Sequence, residues 1–585
     1  MTKKFNEISA KVWTAITTYP LVLLMAVIMT SAIIFIIENN HSFHEFPAIK
    51  LIICSSLGIS VLFSAKMLSQ RVGKELLWQM IGLLILIAFY FVLPAKEENF
   101  DEVYAFVLIP TYILSHLFVS FAAFISHKSE MNFWQFNKNL FINIILAAIF
   151  TGVLMLGVNL AILAVDNLFN WNFDSNIYAE TAAILGIVGN TLIFLLFNEK
   201  GLDELEKSTP YPVVLKFFTQ FILIPLLLIY VVILYLYTAK IIINWELPQG
   251  WVSYLVLAYS MVGILAILLV HPLRNDSAKS WVKIFSKAFY YSLIPLIILL
   301  FTAIFTRILE YGYTEPRYYV LLLAIWLLSV QVYFIFFRNA TIKFIPMSLF
   351  AFGIFGLLFP YANSFAVAKR SQKFELEKLL EVNKLVDNGK INFDKPISSE
   401  VAGSISDKFT FLSKRDNKPY LLTYLPDSVA SKEKEAKRLY IRSYFTKVSA
   451  EVADSNQYFT LTNKETVHKV DGYDYVLLEN SILNAGATLV NDKMILTKNL
   501  YGQNPNYTLQ LSTGEKADLL PLVSNLMKKH KGASGFVPAT DLFVETDLGP
   551  YHIKIIYETI NQTGYNSTTD FYLENAIYLV KIKAK

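Results

Sequence analysis

The residues that could do chemistry inside the apolar half of the chain are few. His116 is the one ionisable side chain near the middle of an apolar segment, and Asn159, Asn190 and Gln331 are the uncharged candidates. Such groups within a membrane usually bind or relay something, although a neutral histidine bonded to a neighbouring helix is the alternative for His116. Because no Asp or Glu lies mid-segment, an ion-coupled transporter is disfavoured, while a facilitator stays open.

Two prolines interrupt apolar segments in similar surroundings. Pro225 and Pro295 each stand in an Ile-Pro-Leu context about 70 residues apart. Paired broken helices in related positions are typical of transporter sites. The alternative is coincidence within Leu- and Ile-rich sequence.

Acid–base chemistry at a membrane face would need converging charged groups. Glu310, Glu315 and Arg317 lie in one polar connection, which either carries such a site or only caps two spans. The chain has no H-E-x-x-H, G-x-S-x-G or phosphate-binding glycine loop. We therefore predict no catalytic residues, and the sequence leans away from an enzyme.

A metal site has little support. His41 and His44, with Glu38 and Glu45, have a possible ligand spacing, but no further ligand is apparent and a solvated loop is the alternative. Cys54 is the single cysteine, which excludes a disulfide framework or a zinc cluster of cysteines. No cofactor or metal is predicted.

Apolar composition is concentrated in the first 360 residues. The whole chain is 55% hydrophobic, yet 42 of its charged residues lie in the first 360 positions and 55 in the last 225. Formal net charge is +5, which gives no indication of nucleic acid as a partner. The composition predicts an α-helical polytopic membrane bundle over 1–360, a membrane-exit linker over 361–372 and a soluble α+β domain over 373–585.

About eleven segments reach the roughly 20 apolar residues that a membrane span needs. The lysines and arginines of the connections set the orientation, with 17 on the side of the N-terminus and 5 on the other. This bias predicts a cytoplasmic N-terminus and an extracytoplasmic C-terminal domain, and one miscounted span would reverse the latter. The predicted spans are near 15–37, 49–66, 76–93, 103–125, 140–163, 177–197, 213–237, 251–270, 289–308, 318–337 and 342–360.

Local patterns add detail to both halves. The aromatic and basic stretches 133–138 and 281–289 predict interfacial helices or an aromatic belt, and glycines 152, 157, 186 and 189 predict close helix packing. In the C-terminal part, periodicity predicts helices near 376–386, 401–412, 432–447 and 519–527, with Asp387-Asn388-Gly389 ending the first. Alternation predicts strands near 475–478, 489–490, 494–496, 552–558 and 578–583.

Several motifs together resemble a known family. They are Tyr19-Pro20-Leu21, Gly58 followed by Lys66 and Arg71, Phe133-Trp134-Gln135-Phe136-Asn137, and Tyr311-Gly312-Tyr313-Thr314-Glu315 with Arg317-Tyr318. Over roughly residues 10–400 the chain resembles an uncharacterised family of bacterial multi-pass membrane proteins, the domain of unknown function 4153. The resemblance implies the bacterial cytoplasmic (inner) membrane and supplies no catalytic residue, substrate or cofactor.

Three functions remain as hypotheses. The favoured one is an envelope-facing binding, sensing or scaffolding protein, whose partners would be the lipid bilayer and an envelope protein or cell-wall ligand. The second is a transporter or lipid-handling channel through the bundle, based on His116, Pro225, Pro295 and Gln331. The third is an enzyme acting on a lipid-linked substrate.

Overall fold

The chain forms two compact units. The first comprises Met1–Glu377 with Lys414–Lys418, and the second comprises Lys378–Ser413 with Pro419–Lys585. The structure, a computed structural model, describes residues 2–39, 45–126, 129–171, 173–208, 211–244, 251–275, 280–434, 436, 438–449, 458–463, 468–483, 486–490, 492–500, 506–530, 535–563 and 571–583. A polytopic helical membrane bundle is followed by an α+β region, which confirms the predicted fold class. The division at residues 360 and 373 stays a prediction.

Ten helices of the described residues are long and apolar enough to cross a membrane. An amphipathic helix, α1 (Thr2–Thr18), precedes them, and a shorter apolar helix, α12 (Phe344–Leu358), occupies the eleventh predicted position. The ten are α2 (Pro20–Asn39), α3 (Glu45–Val72), α4 (Glu75–Val92), α5 (Ala105–Phe121), α6 (Glu130–Phe169), α7 (Asn176–Phe197), α8 (Val213–Asn244), α9 (Trp251–Val270), α10 (Ser280–Tyr311) and α11 (Glu315–Phe336). A further helix, α13 (Ser364–Val382), begins after them.

The two predicted interfacial helices are instead the first turns of long spans. Residues 133–138 belong to the 40-residue α6, and residues 281–289 belong to the 32-residue α10. Phe133, Trp134 and Phe136 are at most 6% exposed, so this aromatic stretch contacts protein and forms no aromatic belt. The sequence was misleading here because a buried aromatic cluster and an interfacial one have the same composition.

Close packing occurs at other glycines than those predicted. A methyl group added at Gly152, Gly157 or Gly186 would meet no atom within 4 Å, so the prediction of close helix approach there is wrong. At Gly263 of α9 the same methyl group would overlap the ring of Phe289 in α10. The absence of a side chain at Gly263 therefore lets these two helices approach each other.

Successive connections of the first unit alternate between two ends of the bundle. At one end, here called the Glu206 end, Trp134 Nε1 donates to the carbonyl of Leu268 (2.8 Å), and Glu130 Oε1 accepts from the backbone N–H of Ile342 (2.7 Å). At the other, the Glu315 end, Tyr319 OH donates to the carbonyl of Phe106 (3.2 Å) and Tyr318 OH to that of Ala362 (2.6 Å). The connections that follow even-numbered spans thus lie at the Glu206 end, and those that follow odd-numbered spans lie at the Glu315 end.

The second unit begins with a small helical and β region. A hairpin joins β1 (Val386–Asp387) to β2 (Lys390–Ile391), and β3 (Ile397–Ser398) pairs in parallel with β4 (Val448–Ser449). Asn388 and Gly389 turn the hairpin with positive φ angles of 50° and 79°. The intervening helices are α14 (Ser399–Ser413), α15 (Lys418–Thr423) and α16 (Asp427–Glu433).

Two sheets form the remainder of the second unit. The order of one is β11-β5-β13-β14-β6 with β12 beside β13, and that of the other is β10-β9-β8-β7. They enclose an apolar core that includes Tyr507, Tyr557 and Tyr578, and α17 (Leu520–Lys529) adds Val523 and Met527. The strands are β5 (Tyr458–Asn463), β6 (Tyr475–Leu478), β7 (Ala487–Thr488), β8 (Lys493–Asn499), β9 (Asn506–Leu511), β10 (Lys516–Asp518), β11 (Gly535–Val537), β12 (Phe543–Leu548), β13 (Tyr551–Thr563) and β14 (Phe571–Ile582).

Three local predictions in the C-terminal part are wrong, and one of them is the strand near 489–490, because the strand found there, β7, ends at Thr488. A helix is predicted near 432–447, but the helix found there, α16, ends at Glu433. Beyond it the buried residues Leu439 and Ile441 are two positions apart, a spacing that suits an extended chain. Asp387-Asn388-Gly389 turns a hairpin, and the helix predicted to end there ends at Val382. The helices near 401–412 and 519–527 and the strands near 475–478, 494–496, 552–558 and 578–583 are confirmed.

Candidate functional site

The polar turn between α10 and α11 is held at several points. Gly312 adopts a φ of 76°, in the left-handed region that favours glycine. Ser371 Oγ accepts a hydrogen bond from the N–H of Tyr313 (2.8 Å), and Gln372 Nε2 donates to the carbonyls of Tyr311 and Tyr313 (both 2.9 Å). Side chains from the middle of α13 thus fix the conformation of the turn.

Glu315, which follows this turn, forms a buried ion pair with Arg415. Arg415 Nε donates to Oε1 at 2.6 Å and Nη2 to Oε2 at 2.8 Å, a two-pronged geometry. The Glu315 side chain is 0% exposed and that of Arg415 is 8% exposed. The neighbouring Lys414 forms an ion pair with Glu102. These two contacts fasten the segment Lys414–Lys418 within the first unit.

The three charged residues that the sequence places in this connection do not converge. Arg317 Nη1 donates to the carbonyl of Gly312 (2.8 Å), and its guanidinium lies 5.3 Å from the ring centre of Tyr311. Glu310 lies 3.7 Å from Arg307 of its own helix, and Glu315 is engaged by Arg415. Arg317 and Glu315 thus hold the turn and the segment that follows it in place.

Gln331 bonds to the helical turn that precedes Pro295. Pro295 lies inside α10 and lacks the N–H that would bond the carbonyl four residues earlier, which loosens the preceding turn. Gln331 Nε2 of α11 donates to the carbonyl of Tyr290 (2.8 Å), and Tyr235 OH of α8 donates to that of Ser292 (2.9 Å). Neighbouring helices thus hydrogen-bond to this turn, as expected for proline inside a span.

Two π-helical turns lie beside the remaining candidates. One, Ile184–Gly189, directly precedes Asn190 in α7, and the other, Phe218–Leu223, lies just before Pro225 in α8. Asn190 Oδ1 accepts from Thr151 of α6 (3.2 Å), whereas Asn159 Oδ1 is buried without a hydrogen-bond partner. A proline has no N–H to complete the regular backbone hydrogen bonding of a helix. The wider π turn before Pro225 accommodates this loss, because π turns already depart from the regular hydrogen-bonding pattern.

His116 lies on the outer surface of its helix. Its Nδ1 is 2.8 Å from the carbonyl of Tyr112, one turn earlier, and 3.2 Å from the hydroxyl of Ser115. Both hydrogen-bond partners of His116 therefore belong to its own helix. The alternative that the sequence predicts, a bond to a neighbouring helix, is not the arrangement found. His41 and His44 lie outside the described residues. Among the residues that the structure describes, no group of three or more His, Cys, Asp or Glu side chains is arranged to hold a metal ion.

At the Glu206 end, a polar network joins four parts of the chain. Glu206 forms an ion pair with Arg71 and accepts from Asn132 Nδ2 (2.9 Å), while Arg71 Nε donates to the carbonyl of Ala123 (3.2 Å). The backbone N–H of Leu202 donates to Gln70 Oε1 (2.9 Å). This network fastens α3, the end of the fourth span, the start of α6 and the connection after α7.

The second unit has an open cleft of about 460 Å³ between the β1–β2 hairpin and the start of α16. Asp387, Asn392 and Asp394 are among its lining residues. Lys395 Nζ donates to Asp387 (2.6 Å) and Asn392 Nδ2 also donates to it (2.8 Å), and the bond from Lys395 is the main reason why the pKa of Asp387 lies below its ordinary value. Thr446 Oγ1 donates to Asp394 (2.8 Å).

A family model described as a domain of unknown function (DUF4153) matches residues 12–388, more than half of the chain. This chain belongs to the DUF4153 family. An uncharacterised protein of Pasteurella multocida (strain Pm70), PM1469, is 27% identical to it over 339 residues, which are 56% of this chain and 55% of that protein. The match thus spans about half the length of this relative. No solved structure matches the chain.

The DUF4153 region contains both polar ends of the bundle. Phe133-Trp134-Gln135-Phe136-Asn137 packs at the Glu206 end, and Tyr311–Glu315 forms the clamped turn at the Glu315 end. Sequence reasoning singled out both stretches but missed Arg415, Gln372 and Glu206. Arg415 lies 100 positions from its partner Glu315, and Glu206 lies 135 positions from Arg71. Gln372 lies 61 and 59 positions from Tyr311 and Tyr313. The sequence carries no signal for Glu206, because it is one of four acidic residues in a connection with Glu199, Asp203 and Glu204.

Proposed function

We propose that this DUF4153 member is an envelope-facing binding, sensing or scaffolding protein of the bacterial cytoplasmic membrane. Its N-terminus lies in the cytoplasm and its second unit lies outside. The second unit binds an envelope protein or a cell-wall ligand.

The observation that supports this proposal most is the cleft in the second unit. Its lining residues Asp387, Lys390, Asn392 and Asp394 lie at an open surface, where they are accessible to a polar ligand. In contrast, the amide of Gln331 and the charges of Glu315 and Arg317 are bonded to protein groups in the first unit. Asp387 and Asp394 are bonded to neighbouring protein groups but remain exposed to solvent, whereas Glu315 and Gln331 are buried.

Site-specific photo-crosslinking of the full chain tests the proposal. A benzoylphenylalanine at Ser428, an exposed lining residue of the cleft, is compared with one at Tyr572, which is 46% exposed on β14. We expect an envelope protein or cell-wall fragment to be captured from position 428 and not from position 572. Equal capture from both positions, or none from either, would contradict binding at the cleft.

A second candidate, a transporter or lipid-handling channel, is favoured by the two π-helical turns beside Asn190 and Pro225. Such turns often occur at functional sites. Fluorescent phospholipid movement across proteoliposomes containing the full chain provides the test. Movement that is lost in Asn190→Leu and Pro225→Ala but kept in Gly152→Ala would favour this candidate, and no movement by the unaltered chain would remove it.

A further inference from the structure

The cleft of the second unit combines aromatic rings with polar side chains. Tyr444, a partly exposed side chain, lines it, and the largely buried Phe393 packs against Tyr444 with the two ring centres 5.7 Å apart. Pro426 and Val429, at the start of α16, add further apolar surface. An aromatic ring at an open surface offers a ligand a flat apolar contact.

The ring of Tyr444 is held in place by its neighbours. Tyr444 OH donates to Glu433 Oε1 (2.8 Å), and Phe393, which packs on Tyr444, also packs on Phe445 with ring centres 4.9 Å apart. Because these contacts already order the ring, a ligand that stacks on it does not have to immobilise a mobile side chain. Such preorganisation lowers the entropic cost of binding.

The cleft also presents hydrogen-bond acceptors at its surface. Asp387 and Asp394 are both exposed. Thr446 Oγ1 donates to Asp394 (2.8 Å), and the backbone N–H of Asp394 donates to Asn392 Oδ1 (2.9 Å), which fixes this carboxylate in position. A carboxylate has roughly four acceptor sites, so the bonds from protein groups leave both aspartates able to accept from hydroxyl groups of a ligand.

Lysines lie beside the acidic residues of the cleft. Lys395 Nζ donates to Asp387 (2.6 Å), and Lys390 Nζ lies 3.3 Å from Asp427 and donates to the carbonyl of Leu425 (2.9 Å). An anionic ligand would be repelled by the aspartates, and a cationic one would have to compete with the lysines for them. Paired charges together with open acceptors therefore favour an uncharged ligand that is rich in hydroxyl groups.

Two features of the cleft favour a glycan over a peptide. A pyranose ring has C–H groups on one face, which pack on an aromatic ring, and hydroxyls at its edge, which donate to carboxylates. An extended peptide offers one backbone N–H per residue and uses fewer of these acceptors. The cleft volume of about 460 Å³ lies within the range of about 300–1,000 Å³ that small-molecule sites have.

We infer that the cleft binds an uncharged segment of a glycan chain. A sugar ring stacks on Tyr444, and its hydroxyls donate to Asp387 and Asp394. This inference rests on the proposed function, because it names the chemistry of the cell-wall ligand that the second unit binds.

Binding of defined trisaccharides to the full chain in nanodiscs tests the inference, with dissociation constants from saturation-transfer difference NMR. Tri-N-acetylchitotriose and maltotriose are uncharged, whereas trigalacturonic acid is anionic and fully deacetylated chitotriose is cationic. We expect an uncharged trisaccharide to bind more tightly than either charged one. Absence of binding by both uncharged sugars, or tighter binding of a charged one, would overturn the inference.

Variants locate the bound sugar. Tyr444→Ala and Asp394→Ala should each weaken binding by roughly tenfold, through loss of the aromatic contact and of a charged acceptor. Tyr572→Ala on β14 and Asp471→Ala at an exposed turn are the matched controls and should leave it unchanged. Ser428→Trp fills the cleft from an exposed position and should abolish binding even where Tyr444→Ala fails to fold. Equal effects of cleft and control variants would refute stacking in the cleft.

Photo-crosslinking from position 428 separates this inference from the proposed function. Capture of an envelope protein without binding of any uncharged trisaccharide would assign the cleft to a protein ligand, which overturns the glycan inference and leaves the proposed function standing. Capture of a glycan fragment together with trisaccharide binding would support both. Neither capture nor binding would overturn both.

Discussion

At the residue scale, the Glu315–Arg415 pair places two opposite charges out of contact with water. Taking such charges from water costs several kcal/mol each, which the two hydrogen bonds and the mutual attraction offset only when both partners are present. Exposed pairs such as Arg307–Glu310 have little of this interdependence. Burial therefore distinguishes two ion pairs that are made of the same residue types.

Removing one partner of the buried pair should destabilise the first unit strongly. We expect Arg415→Met to lower the free energy of unfolding by about 3–5 kcal/mol, because Glu315 is left buried and unpaired. All eight tryptophans lie between positions 13 and 326, so tryptophan emission during denaturation reports on this unit.

The double variant Glu315→Leu/Arg415→Met should recover much of this loss. Arg307→Gln is the control, with an expected change below about 0.5 kcal/mol. A loss in Arg415→Met no larger than in Arg307→Gln would contradict the role assigned to the pair.

Asp387 gives the cleft a dependence on pH. Its folded-state pKa lies below the ordinary value, mainly because Lys395 donates to it, so its contribution to stability is present above the unfolded pKa. This contribution is lost as the pH falls through the folded pKa, below about pH 4.

Pepsin cleavage of residues 378–449, mapped by mass spectrometry between pH 2 and 5, measures this effect. We expect Asp387→Asn to be cleaved faster than the unaltered chain at pH 5 and to show a smaller acceleration on acidification. Asp471→Asn, at an exposed turn, should follow the unaltered chain. Identical pH profiles for Asp387→Asn and the unaltered chain would refute the assignment.

At the scale of elements, contacts between helices explain features that look like breaks or weak points in single segments. Pro295 is accommodated by hydrogen bonds from α8 and α11 to the turn before it. Gly263 lets α9 approach α10, whereas Gly152 in α6 faces open space. The same residue type thus has opposite structural roles in two apolar helices.

This contrast predicts opposite effects of one substitution. Gly263→Ala should destabilise the bundle by about 1–3 kcal/mol, because the added methyl group overlaps Phe289. Gly152→Ala should be neutral or stabilise by up to about 1 kcal/mol, through better helix propensity. Thermal unfolding in one detergent compares the two directly, and equal effects would show that α9 and α10 do not pack closely at Gly263.

At the scale of the whole molecule, the membrane unit arranges its connections into two separate sets. The connections at the Glu206 end, together with the N-terminal segment, carry 17 lysines and arginines, and those at the Glu315 end that join two spans carry 5. Under the positive-inside rule, this distribution favours the Glu206 end as the cytoplasmic one.

Reporter fusions after Lys585 test this orientation. We expect alkaline phosphatase fused there to be active and a fluorescent protein that matures only in the cytoplasm to be dark. The same reporters placed after Lys207 should give the reverse result and act as the control. A fluorescent C-terminal fusion without phosphatase activity would place the second unit in the cytoplasm and would remove the envelope proposal.

The sequence by itself determined the spans, because about 20 consecutive apolar residues have few soluble alternatives. It also determined the longer strands, where alternation persists over several residues, as in His552–Glu558 and Tyr578–Lys583. Family membership was visible in short motifs such as Phe133–Asn137 and Tyr311–Glu315. What these motifs contact was not visible.

Only the tertiary structure decided the partners of the polar residues. Glu315 meets Arg415 and Gln331 meets Tyr290 through packing between segments that are 100 and 41 positions apart. Single-sequence periodicity reports which face of a helix is apolar but not which neighbour covers it. For the same reason, the glycines that pack helices and those that face open space could be separated only once the bundle had formed.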